Sequence, residues 1–168
     1  MKILGIDPGL ANTGWGVVDY SSGHFRCVEY GLINTDSKSD NQSRISCITE
    51  RIKSLCSKFD VGAVSIEDIF FAKNELSVMN VAKVIGAINY MSYLMNLKLF
   101  TYTPLQIKMS VIGYGRADKH QVQEMTRVLL KEREIPRPDH CADALAAAIC
   151  HINMNSTLSR FDNSVRGA

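Results

Sequence analysis

The sequence predicts one domain of the α/β class, and three observations support this prediction. The chain has 168 residues, which is enough for about one domain of ordinary size. Short apolar runs of strand composition alternate with stretches whose apolar residues recur every three or four positions. No repeat, low-complexity tract or linker divides the chain. We therefore expect the element order βββαβαβααα in a domain of residues 1–155, followed by a frayed C-terminal tail over residues 156–168.

The first three elements are predicted to be strands. Residues 2–6 form an apolar run that ends at Asp7-Pro8-Gly9, because a Pro-Gly pair breaks regular structure. Residues 15–20 and 24–33 have strand composition, and residues 21–23 between them are typical of a turn. The chain is therefore expected to begin with three antiparallel strands, the first of which ends at an acidic residue.

The middle of the chain predicts a helix, a strand and a second helix. Residues 43–59 carry apolar side chains at the spacing of an amphipathic helix. Residues 61–66 form another buried-strand run, which ends at Glu67. Residues 74–97 predict a long helix capped by Asn74. Its apolar side chains cover more of its circumference than one sheet can bury, which indicates a second partner, most simply another copy of the chain.

The last third of the chain predicts one strand and three helices. The strand covers residues 99–103, the first two helices cover 104–112 and about 118–131, and the last helix starts at Asp139 and is rich in alanine over 143–152. Pro104 suits the first position of a helix, and Asp118 is typical of a residue that caps one. We expect Asp139 to be the N-cap of the last helix rather than a metal ligand.

Composition excludes several classes of protein. With 46% hydrophobic and 21% charged residues, the chain is typical of a globular protein rather than a disordered or fibrous one. The five cysteines are odd in number and lack the spacing of a zinc site, which argues against a disulfide framework and favours the cytoplasm. The N-terminal apolar run is too short for a signal peptide, and polar residues interrupt the most apolar stretch, so neither export nor a transmembrane helix is expected.

Four side chains that bind metal ions in other proteins stand at the ends of predicted elements. Asp7 follows the first strand and Glu67 follows the fourth, while His140 and Asp143 are three residues apart and hence share one face of the last helix. Taken singly, each acid has an ordinary structural explanation, as a turn residue or a surface charge. Together they are typical of a site for Mg²⁺ or Mn²⁺, where two ions can activate water and stabilise the leaving oxygen in phosphodiester hydrolysis.

Motifs in the same order along almost the whole chain resemble those of one family. They are Gly5-Ile6-Asp7-Pro8-Gly9 with Thr13-Gly14-Trp15-Gly16, Ile66-Glu67 with Phe70 and Ala72-Lys73-Asn74, Ile112-Gly113, Lys119 with Gln121-Val122-Gln123, and Asp143-Ala144-Leu145-Ala146. This set is similar to that of the RuvC family of Holliday-junction resolvases. The resemblance implies a ribonuclease-H-like fold with a mixed five-stranded sheet flanked by helices. It also implies a homodimer that makes paired symmetric nicks in four-way DNA junctions during recombination and repair, in cooperation with the RuvA and RuvB branch-migration proteins.

The resemblance assigns the four candidate ligands to the acidic quartet of the family. The quartet falls on Asp7, Glu67, His140 and Asp143, and the family uses either Asp or His at the position of His140. The resemblance therefore implies that these residues are catalytic and hold metal, with two Mg²⁺ ions per subunit. Because imidazole binds softer ions better than it binds Mg²⁺, we expect Mn²⁺ to support activity at least as well.

The resemblance and the local charge together indicate DNA-binding residues. Residues 98–137 hold eight Lys and Arg against four Asp and Glu, within a chain whose net charge is only +2. Such a stretch binds phosphates without reading the base sequence. Lys108 and Lys119 are similar to DNA-contacting lysines of the family, and Arg116 is a further candidate from the same stretch. Phe70 matches a position whose ring stacks on an unpaired base.

Two other functions remain open from the sequence. A different ribonuclease-H-like nuclease would cut the RNA of RNA–DNA hybrids, but it needs residues that read the ribose 2′-hydroxyl, and none is recognisable here. A junction-binding protein without catalysis would have lost one of the four ligand positions. An actin-like ATPase shares the first motif, but it pairs two such lobes, for which the chain is too short.

Overall fold

The described part of the chain folds around a mixed sheet of five strands. The computed structural model describes residues 1–69 and 75–166, with side chains for residues 1–69 and 77–155. The strands are β1 (Lys2–Asp7), β2 (Asn12–Ser21), β3 (His24–Asn34), β4 (Ala63–Glu67) and β5 (Lys98–Tyr102). The helices in this part are α1 (Asn41–Phe59), α2 (Glu75–Leu94), α3 (Pro104–Ile112), α4 (Lys119–Leu130) and α5 (Asp139–Arg166).

The sheet has the strand order β3-β2-β1-β4-β5. The first three strands pair antiparallel, as predicted, whereas β4 and β5 join the other side of β1 in parallel. Ile6 of β1 pairs with Ile66 of β4. The next residues along these two parallel strands, Asp7 and Glu67, therefore stand side by side at the same edge of the sheet.

Alternate residues of β1 face two separate helical layers. Ile3 packs among the buried side chains of α3, α4 and α5, whereas Leu4 and Ile6 pack among those of α1 and α2. Since side chains alternate between the faces of a strand, Asp7 lies on the same face as Ile3. The candidate ligands at the strand ends thus face α5 rather than α1 and α2.

Helix α5 lies directly against the sheet because glycines face it. A Cβ atom at Gly5 would lie 2.9 Å from the backbone nitrogen of Ala148 and would overlap the carbonyl oxygen of Ala144. A Cβ atom at Gly14 would overlap the backbone of His140. The alanines of α5 are fully buried on this side, so two backbones approach each other with only hydrogen atoms or methyl groups between them. This close packing holds the first turns of α5 at the ends of β1 and β2.

Side chains close the N-terminal ends of three helices. Asp40 accepts a hydrogen bond of 2.9 Å from the backbone N–H of Ser43 at the start of α1. Thr103 and Asp118 form capping boxes with the glutamines three residues later, at the starts of α3 and α4. The prediction that Asp118 caps a helix is confirmed, as is the position of Pro104 at the start of α3.

The last helix begins at Asp139, where the sequence predicted its start, but it extends to Arg166, beyond the predicted alanine-rich range of 143–152. Asp139 is the first residue of the helix and not its N-cap, so the predicted capping role is wrong. Its carboxylate lies 2.5 Å from Arg137 and 3.7 Å from Lys119. The division at residue 155 stays a prediction, and the predicted cap Asn74 lies outside the described residues. None of the described helices has the length and apolar character needed to span a membrane.

Candidate active site

Three of the four predicted ligands meet where β1 ends and α5 begins. Asp7, His140 and Asp143 each offer a ligand atom, and these atoms all lie within 4.8 Å of one another. Asp7 Oδ2 is 2.6 Å from His140 Nδ1. We call these three residues the ligand cluster. The spacing of His140 and Asp143 places both on one face of α5, and the glycine contacts hold that face against Asp7.

Glu67 borders the ligand cluster across one cavity. The side chains of Asp7, Glu67, His140 and Asp143 line this cavity of about 380 Å³. Burial raises the pKa of Glu67 to about 7, and the carboxylates of Asp7 and Asp143 add to this effect. Burial also raises the pKa of Asp7, although the hydrogen bond to His140 opposes the shift.

The donor set fits a divalent cation. Carboxylate oxygens are the ligands that Mg²⁺ and Mn²⁺ prefer, and imidazole binds Mn²⁺ well. Three carboxylates share a half-buried cavity here. The raised pKa values of Asp7 and Glu67 reflect the free energy that it costs to bury an ionised carboxylate and, to a smaller extent, to place it near other carboxylates. A bound cation would offset that free energy, since it stabilises the ionised form of each carboxylate.

Two lysines stand beside the ligand cluster. Lys119 Nζ lies 2.8 Å from Asp143 Oδ2, and Lys108 lines the same cavity from α3. Partial burial alone would lower the pKa of Lys119, but the hydrogen bond to Asp143 and the surrounding carboxylates outweigh it, so the pKa is raised. The ammonium group of Lys119 therefore remains charged, and both lysines line the cavity that an anion would enter.

Gln123 is a site residue to which sequence reasoning gave no role of its own. It lies on the inward face of α4 with only 4% of its surface exposed, and its side-chain nitrogen is 3.5 Å from Asp143 Oδ1. The signal in the sequence was a glutamine at a position where α4 turns its apolar face inward, beside Val122. A buried amide at such a position requires a polar partner, and Asp143 is that partner.

The other predicted DNA contacts do not line the cavity of the ligand cluster or lie outside the described residues. Arg116 is exposed in the turn between α3 and α4 and does not line the cavity of the ligand cluster. Phe70 and its neighbour Phe71 fall between the described residues 69 and 75. The roles proposed for Arg116 and Phe70 stay predictions.

Comparison with known proteins identifies the family. The sequence model of crossover junction endodeoxyribonuclease RuvC matches residues 3–151. The chain belongs to the RuvC family. A RuvC crossover junction endodeoxyribonuclease of Finegoldia magna is 44% identical over 152 residues, which span 90% of this chain and 93% of the relative.

Solved RuvC structures have the same fold as this chain. The Thermus thermophilus RuvC structure matches with a TM-score of 0.86 and 30% identity, over 94% of this chain and 96% of that one. The T. thermophilus RuvC in complex with Holliday junction substrate also has a TM-score of 0.86, at 28% identity and with the same coverage. These matches confirm the ribonuclease-H-like fold and the resemblance that the sequence motifs indicated.

Proposed function

We propose that this protein is a dimeric, metal-dependent endonuclease that resolves four-way DNA junctions by paired symmetric nicks during homologous recombination and DNA repair. The observation that carries the proposal is the ligand cluster, which lies beside two lysines in a chain of the RuvC family. The T. thermophilus relative bound to a Holliday junction substrate supports the choice of substrate.

Each residue of the site has a role in the proposed reaction. Asp7, Glu67, His140 and Asp143 would hold two Mg²⁺ ions per subunit, and Mn²⁺ would replace Mg²⁺ without loss of activity. When bound, such ions lower the pKa of a water molecule and stabilise the charge on a leaving oxygen. Lys108 and Lys119 hold the scissile phosphate, Gln123 keeps Asp143 in position, and Phe70 stacks on an unpaired base.

The proposed reaction is hydrolysis of one backbone phosphodiester in each of two opposed strands. The oxygen of water forms a bond to phosphorus as the bond from phosphorus to the 3′-oxygen breaks. The products are a 5′-phosphate and a 3′-hydroxyl, and the 3′-oxygen takes up a proton. The positive charge of Lys108 and Lys119 stabilises the charge that develops on the phosphate oxygens during this step.

The exposed apolar face of α2 supports the homodimer. Met79, Tyr90, Tyr93 and Leu94 on this helix expose between 57% and 74% of their surface. Large apolar side chains exposed together on one helix face are typical of a protein–protein contact. A second copy of the chain, paired through α2, would place two active sites in one particle, as symmetric nicking requires. RuvA and RuvB family proteins are the further partners we propose, with the cytoplasm as the location.

Cleavage of a synthetic four-way junction tests the proposed function. Labelled junction, linear duplex and RNA–DNA hybrid of matched sequence are incubated with the protein in Mg²⁺, in Mn²⁺ and in excess chelator. Symmetric nicks in the junction alone, lost on chelation, are the expected result. Metal-dependent cutting of the hybrid would indicate a different ribonuclease-H-like nuclease. Tight junction binding without any nick would indicate a non-catalytic binding protein.

A further inference from the structure

A second cavity adjoins the active site on the far side of His140. Its volume is about 480 Å³, and its walls come from the β1–β2 loop, the start of α1 and the start of α2. His140 lines both this cavity and the cavity of the ligand cluster, so it lies between them. We call the second cavity the Arg44 pocket, because Arg44 is the arginine among its described lining residues.

The residues that line the Arg44 pocket favour an anion. No Asp or Glu is among its described lining residues, whereas three carboxylates line the neighbouring cavity. Asn12 and Asn80 supply neutral amide groups, and Gly9 leaves backbone exposed in the wall. A pocket that presents one guanidinium, with no carboxylate among the side chains described around it, suits a phosphate group.

A hydrogen bond to an uncharged side chain holds Arg44 in place. Its Nε donates a hydrogen bond of 2.8 Å to Thr35 Oγ1, which in turn donates to the carbonyl oxygen of Leu10. The backbone N–H of Thr35 also donates to the carbonyl oxygen of Ala11, so the guanidinium is tied to the loop that forms the pocket. Among the side chains that the structure describes, no carboxylate lies within 4.0 Å of Arg44, unlike Arg127 and Arg137, which pair with acids.

We propose that Arg44 binds a backbone phosphate next to the scissile one and so fixes the register of the cut strand. This inference rests on the proposed function. A strand whose scissile phosphate sits at the ligand cluster would reach the Arg44 pocket by continuing past His140, which lines both cavities. None of the described side chains gives the half-buried guanidinium a charged partner, and the phosphate would supply one. The Nε of Arg44 would stay hydrogen-bonded to Thr35.

Replacing single phosphates with neutral methylphosphonates tests the proposal directly. A series of junctions carries one methylphosphonate at each position flanking the nick, and the dissociation constant of each junction is measured in chelator. For the wild-type protein, one flanking position should weaken binding about tenfold, as the loss of one charge-assisted hydrogen bond predicts. Arg44→Ala should weaken binding of the unmodified junction by a similar factor, and the two changes together should weaken it no further.

Salt dependence and a matched variant give the controls. Arg44→Ala should reduce the slope of log Kd against log salt concentration by about 0.7–0.9, as for one lost phosphate contact. Arg51→Ala removes the same charge from an exposed position of α1 that lines a different cavity, and it should leave the slope and the methylphosphonate pattern unchanged. Arg44→Gln removes the charge while keeping an amide that can donate to Thr35, and a melting temperature equal to wild type shows that it folds.

The outcomes separate this proposal from the function on which it rests. A wild-type protein that does not cut the junction overturns the proposed function. If the wild type cuts, but Arg44→Ala and the methylphosphonate together weaken binding by the product of their separate factors, Arg44 does not contact that phosphate. If no flanking methylphosphonate weakens binding, while inorganic phosphate protects the wild type and not Arg44→Gln against thermal unfolding, the pocket binds a free anion rather than DNA. Either of the last two results overturns the proposal for Arg44 alone.

Discussion

Replacing Gly5 with alanine should both destabilise the protein and disable it. The new Cβ atom would lie 2.9 Å from the backbone nitrogen of Ala148, where ordinary contact begins at about 3.5 Å, and it would overlap the carbonyl oxygen of Ala144. Helix α5 must therefore withdraw from β1 by at least about 0.6 Å, and by more near Ala144. Overpacking of a core costs about 1–3 kcal/mol, and we expect about 3 kcal/mol because the obstacle is backbone.

Gly62→Ala is the matched control. A Cβ atom at Gly62 would lie 3.6 Å from the side chain of Met1 and 3.7 Å from the carbonyl oxygen of Lys2, which are ordinary distances. This variant should keep the wild-type free energy of unfolding or exceed it by about 0.4–1 kcal/mol, since alanine restricts the unfolded chain. Gly5→Ala should melt about 6–12 °C lower than wild type, from a shift of about 2–4 °C per kcal/mol for a chain of this size.

Activity provides the second measurement on the same two variants. Ala144 directly follows Asp143, so a helix that withdraws from Gly5 also carries a candidate ligand away from Asp7. A displacement of about 1 Å costs roughly 100-fold in rate, and junction cleavage by Gly5→Ala should fall by that order at a temperature where it is still folded. If urea unfolding gives Gly5→Ala a stability within about 0.5 kcal/mol of Gly62→Ala, the close packing of α5 on β1 is wrong.

Three further predictions follow from the site and from the core. Asp7→Asn should abolish junction cleavage and leave the Kd for the junction unchanged in chelator, whereas a wild-type cleavage rate would show that Asp7 holds no metal. Phe70→Ala should slow cleavage about tenfold, from a stacking energy of about 1–3 kcal/mol, with no change in melting temperature; an unfolded variant would assign this ring to the core instead. His151 is buried against Phe100, and burial lowers its pKa, so below about pH 6.5 the unfolded chain takes up a proton that the folded protein does not. The free energy of unfolding should therefore fall between pH 7 and pH 5 in urea denaturation, and His151→Gln should reduce that fall; an equal fall in both proteins would contradict the assignment.

The starts of two helices were predictable from the sequence because single residues specify them. Asp118 and Pro104 start helices by well-defined mechanisms, and both starts are confirmed. The C-terminal end of α5 and the role of Asp139 were not predictable in this way. Asp139 is the first residue of the helix rather than its cap, and its carboxylate faces Arg137 and Lys119. Lys119 lies twenty residues away in the chain and meets Asp139 only in the folded protein.

The candidate site was predictable in its members more than in its geometry. Acids at the ends of two strands, and His140 three residues before Asp143, were visible as a pattern. The sequence did not show that three of these groups lie close together and that Glu67 borders them. This arrangement depends on the position of α5 along β1. Gln123 and the Arg44 pocket were missed for the same reason, since the walls of each come from segments far apart in the chain.

Backbone atoms, rather than side chains, fix the position of α5 on the sheet and with it the position of His140 and Asp143. At Gly16 an added Cβ atom would meet the side chain of Leu145 at 2.6 Å, and a smaller residue at position 145 would remove that conflict. At Gly5 the conflict is with backbone atoms of α5, so no side-chain change on the helix relieves it. The chain can therefore adjust its packing around Gly16, but at Gly5 any side chain moves the helix. Because the same helix carries two of the candidate ligands, the requirement for glycine at position 5 is a requirement of the active site as much as of the core.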